Sequence, residues 1–78
     1  MEFNLQKVLE KIENGEEMVA VNGGKVSLDD ARQLSSAIAS SATVTKLRLW
    51  SCGIGAQEVV VIADMLRSNA VLTELILS

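Results

Sequence analysis

The chain has 78 residues, a formal net charge of −3, no histidine and a single cysteine. That length supports one domain at most. The acidic balance argues against nucleic acid as the main partner, because phosphate binding needs a basic face. The cysteine and histidine counts exclude an intramolecular disulfide and the usual zinc ligand sets.

Hydrophobic residues make up 49% of the chain but aromatic residues only 3%, so the core must be laid down in Leu, Val, Ile and Ala. Leu5, Val8 and Ile12 recur at helical spacing and predict a first helix over about 4–13, with Asn4 as its N-cap and Phe3 and Val8 placed as a hydrophobic staple. Asn14-Gly15 then makes a turn. Met18–Asn22 alternates in polarity as a half-buried strand does. Ser27 and Asp30 form the start signal of a second helix over about 28–41. Lys46–Trp50 is the clearest strand, with Leu47 and Leu49 on one face and Lys46, Arg48 and Trp50 on the other. A third helix is expected over about 56–69, and a third strand over about 73–77. Within the third helix Val59, Ile62 and Leu66 are expected inside, Val60 and Met65 on the flanks, and Val61 nearly opposite the core. No apolar run approaches the roughly 18 residues of a membrane span, and the MEFNLQK start lacks the features of a signal peptide.

These elements repeat. A step of 28 positions carries Leu47 to Leu75, Leu49 to Leu77, Val44 to Leu72, Ala31 to Val59, Leu34 to Ile62 and Ile38 to Leu66, and one step back it links Val19 to Leu47 and Val21 to Leu49. The first helix follows with an offset of 26, because its turn is shorter. Strands separated by helices must run parallel, and a constant step stacks such units side by side. The domain divides into an N-terminal unit over 1–22 and repeats over 23–50 and 51–78.

The run Val44-x-x-Leu47-x-Leu49-x-x-Cys52-x-Ile54, continued by Val59, Ile62, Ala63, Leu66, Asn69 and Leu72, resembles the leucine-rich repeat family in its long, helix-containing, ribonuclease-inhibitor-like subtype. The resemblance implies an α/β fold: a short right-handed solenoid with three parallel strands lining a concave face and three helices on the convex side. It implies a buried, turn-bonding role for Cys52 and a non-catalytic, cofactor-free protein that binds other proteins through its strand face. Gly24 stands where the next unit has Cys52, and Val19 and Val21 replace leucines, as in an N-terminal capping repeat. The family usually carries more repeats and a C-terminal cap, so about two and a half units read as an N-terminal, truncated or engineered fragment of a longer array.

On that face Arg48, Trp50 and Ile76 form the expected centre of a partner-binding surface, with Lys46 and Glu74 on its margin. Trp and Arg are the residue types that most often dominate interfaces, although Trp50 could equally serve only to cover the strand. Lys46 and Glu74 are expected opposite each other as a cross-strand pair. Gly53-Ile54-Gly55 is a poor phosphate loop because Glu58 stands in the first turn of the following helix. The edge Thr73, Glu74, Leu75, Ile76, Leu77 and Ser78 has almost no charge to guard it, so self-association into a homodimer or higher oligomer is expected there. The alternative to a recognition role is a structural or capping fragment that self-associates through this strand without a ligand of its own. Neither a metal nor a membrane partner is expected, and the lone cysteine is compatible with a cytoplasmic location.

Overall fold

A computed structural model describes residues 2–69 and 71–77. Three helices, α1 (Leu5–Glu13), α2 (Leu28–Ala39) and α3 (Ala56–Ser68), alternate with three strands, β1 (Met18–Asn22), β2 (Lys46–Trp50) and β3 (Glu74–Leu77). The strands form one parallel sheet in the order β1-β2-β3. The fold is therefore α/β, and the 28-residue step is its register: Val19 pairs with Leu47 and Val21 with Leu49, then Leu47 with Leu75 and Leu49 with Leu77.

Local chemistry explains each start. Asn4 accepts a hydrogen bond from the Lys7 backbone N–H at 3.1 Å and so caps α1. Ser27 and Asp30 form a reciprocal capping box at α2, each side chain accepting from the other's backbone N–H at 3.1 Å. At α3 only half of that device remains, since Gly55 has no side chain: Glu58 Oε1 accepts from the Gly55 N–H at 2.9 Å. That carboxylate sits where a phosphate would have to bind. Gly15, just past α1, adopts a φ of +77°, the left-handed conformation that glycine takes at little cost.

The units are tied together by bonds that themselves repeat. The Thr45 N–H and hydroxyl donate to the Glu17 carbonyl at 2.8 and 3.4 Å, and those of Thr73 donate to the Thr45 carbonyl at 2.7 and 3.2 Å. Before β2 the Ser41 hydroxyl accepts from the N–H groups of Thr43 and Val44; before β3 the Asn69 side chain accepts from those of Val71 and Leu72. Asn69 also reaches back to donate to the Ile38 carbonyl at 2.9 Å, fastening the third unit to the end of α2. Cys52 is fully buried, and its thiol lies 3.2 Å from the Trp50 carbonyl and 3.5 Å from that of Gly23. Burial pushes the thiol pKa up, against a smaller opposing effect of the Gly23 bond.

The core runs from Val8 through Val19, Val21, Val26, Ala31, Leu34, Ile38, Val44, Leu47, Leu49 and Cys52 to Ile62 and Met65. α2 lies between α1 and α3 and packs against both. The face of α3 differs from the expectation at four positions. Met65 is buried and Val61 packs against the core, whereas Val59 and Leu66 are 42% and 39% exposed. The cause is the direction of packing. α3 turns Val61, Ile62 and Met65 toward the rest of the molecule, while Val59 and Leu66 occupy the places where Ala31 and Ile38 of α2 are covered by the helix that follows.

Candidate functional site

The face of the sheet opposite the core is set by strand alternation. In β2, Leu47 and Leu49 are buried, Lys46 is exposed, and Arg48 and Trp50 are half-buried. β1 contributes Met18, Ala20 and Asn22 beside them; β3 contributes Glu74 and Ile76. Ile76 is 36% exposed and Met18 43%. Ser78, expected at the strand edge, lies outside the described residues.

Arg48 is the hub of this face. Its Nε donates to Glu74 Oε2, and its guanidinium carbon sits 6.0 Å from the centre of the Trp50 ring. The expected partner of Glu74 was Lys46, its register neighbour; the ion pair forms with Arg48 instead. A guanidinium carries its donors in a planar fork and can lie along an aromatic surface, which an ammonium does poorly. Arg48 thus engages both the Glu74 carboxylate and the Trp50 ring. The Arg48 bond holds the Glu74 carboxyl below its ordinary pKa against the opposing effect of desolvation; the charges of Arg48 and Lys46 add smaller effects in the lowering direction.

The five residues proposed for a partner, Lys46, Arg48, Trp50, Glu74 and Ile76, therefore lie on adjoining strands and one face. Two other features escaped sequence reasoning. One is an open groove of about 470 Å³ between α1 and α2, lined by Leu9, Ile12, Gly15, Ala37, Ser41 and Thr43 among others. It arises where small residues near the C-terminal end of α2 fail to fill the gap beside α1, and Glu13 is its one charged lining residue. The other is the apolar stripe Val59, Ala63 and Leu66 on α3; only the covering of equivalent positions on α2 gives it meaning. Among the described residues no group of three metal-ligating side chains converges, and no helix is long and apolar enough to cross a membrane. Compared with protein-family models and with curated proteins, the chain gives no match.

Proposed function

We propose that this chain is a non-catalytic protein–protein interaction module, a short solenoid of the ribonuclease-inhibitor-like leucine-rich repeat type that receives its partner on the open face of the sheet. Arg48, Trp50 and Ile76 form the centre of that surface, and Lys46 and Glu74 its margin. One observation carries the reading: the Arg48 guanidinium bonds Glu74 and lies over the Trp50 ring on a face that contributes nothing to the core. Fixing a long cation before contact lowers the ordering cost of association. Trp and Arg at the centre of an interface commonly contribute about 2 kcal/mol or more each. A protein segment that offers an apolar side chain to Trp50 and Ile76, with polar groups for Lys46 and Glu74, fits this arrangement. The 28-residue register and the buried Cys52 support the repeat assignment. A cytoplasmic setting suits the single thiol.

The test is a photo-crosslinking amino acid placed at Ile76, with Gln57 on the exposed side of α3 as the control position. The expected result is one protein captured from Ile76 and not from Gln57, lost when Arg48→Ala and Trp50→Ala are combined, with the circular dichroism spectrum of the folded chain retained. Equal capture from both positions, or unfolding of the double variant, would overturn the reading and make these side chains structural.

A further inference from the structure

The charged residues of the three strands are Lys46, Arg48 and Glu74, and all lie on the open face of the sheet. That face therefore carries one more positive than negative charge, on a chain whose net charge is −3. Lys46 and Arg48 stand two residues apart on β2, about 7 Å along the strand. The register sets what surrounds them. Met18, Lys46 and Glu74 make one row across the sheet, Ala20, Arg48 and Ile76 the next, and Asn22 and Trp50 begin a third.

Arg48 is engaged from the β3 side. Among the described residues its acceptor is Glu74, and the bond uses Nε. The two terminal nitrogens of the guanidinium keep their donors, in the fork that suits a carboxylate. On the β1 side the register neighbour is Ala20, which faces outward between the buried Val19 and Val21. Its methyl group is too small to cover the arginine and leaves a gap there. Met18 and Asn22 bound that gap along β1, and Lys46 and Trp50 bound it along β2. A basic partner would bring like charges to Lys46 and Arg48, whereas a carboxylate meets complementary ones.

We infer, building on the reading of this face as the partner surface, that it selects an acidic–apolar protein segment. An Asp or Glu carboxylate of the partner sits over Ala20, on the terminal nitrogens of Arg48 and near Lys46. An adjacent apolar side chain of the partner lies on Trp50. Glu74 then has two effects: it holds Arg48 by its Nε, and its charge opposes the incoming carboxylate.

Selection of a random peptide library, displayed on phage, against the immobilised 78-residue chain tests this, with the affinities of the selected peptides measured by calorimetry. The expected peptides place Asp or Glu beside Leu, Ile, Phe or Trp, and bind less tightly as salt rises. Arg48→Gln should weaken them about tenfold or more. Ala20→Leu, which removes no charge, should weaken them by filling the gap. Lys7→Gln, the same loss of charge on the exposed side of α1, should change nothing. Glu74→Gln should tighten binding roughly two- to fivefold, because it removes the opposing charge. Failure to select any peptide, selection without acidic residues, indifference to both Arg48→Gln and Ala20→Leu, or weaker binding to Glu74→Gln would overturn the inference. Peptides that fail in one of these ways but still lose affinity for Trp50→Ala would leave the sheet face as the partner surface. Peptides indifferent to Trp50→Ala as well would overturn both readings.

Discussion

The two ends of this molecule are built from the same helix–strand plan and present opposite surfaces. α1 turns Lys7 and Lys11 outward where α3 has Val61 and Met65, whereas α3 leaves Val59 and Leu66 exposed where α2 has the buried Ala31 and Ile38. Position in the repeat decides which residues are apolar; position in the stack decides which of them are buried. α2 and β2 each pack against a neighbour on both sides, so the middle unit should hold the fold.

The largest expected break in this contrast comes from matched truncations. Leu47→Ala removes a fully buried side chain and should cost about 2–5 kcal/mol, measured by urea denaturation. Leu75→Ala, at the equivalent place in β3, should cost less than half as much in dilute monomer; equal costs would show that the last unit is covered. Next is the seal at the charged end. Gly24 has a φ of +84°, and a Cβ there would meet the Phe3 backbone nitrogen at 3.0 Å, where the Phe3 N–H bonds the Gly23 carbonyl. Gly24→Ala should destabilise by about 1–3 kcal/mol through strain and displacement of Phe3. Gly53→Ala, also left-handed but meeting only the flexible Lys25 side chain, should cost less.

A smaller effect of opposite sign is expected at the centre of the α2–α3 contact. The Ser35 hydroxyl is buried without a hydrogen-bond partner, and the position one repeat later is Ala63. Ser35→Ala should be neutral or stabilise by up to about 1 kcal/mol. The smallest effect is electrostatic. The Glu74 carboxyl has a lower pKa in the folded chain than when unfolded, mainly through its bond from Arg48. Its contribution is complete above the unfolded value of about 4.3 and disappears as pH falls through the folded one. A melting curve followed through that acid range should therefore lose a small increment of stability that Glu74→Gln abolishes.

Much of this was legible in the sequence. Alternation in Lys46–Trp50, the Ser27–Asp30 start and the 28-residue step gave the strands, the helix order and the register, because each rests on local periodicity or on a spacing that stacking preserves. Two things were not. Val59 and Leu66 read as core residues because they align with Ala31 and Ile38, and a pattern carries no information about whether a neighbour is present to cover it. Glu74 read as the partner of Lys46 because the two are opposite in register; side-chain reach and the support of an aromatic ring moved the pair one rung along, to Arg48. Half-burial of Trp50 follows from the same packing, which no spacing rule encodes.

Trp50 has one further consequence. The chain contains a single tryptophan and no tyrosine, so near-ultraviolet emission comes almost wholly from one indole, seated beside Arg48 on the middle strand. Unfolding, occupation of the sheet face and rearrangement of the Arg48–Glu74 pair all act on that chromophore. The protein therefore carries its own optical gauge at the surface where contact is proposed, and titrations can be read without adding a dye.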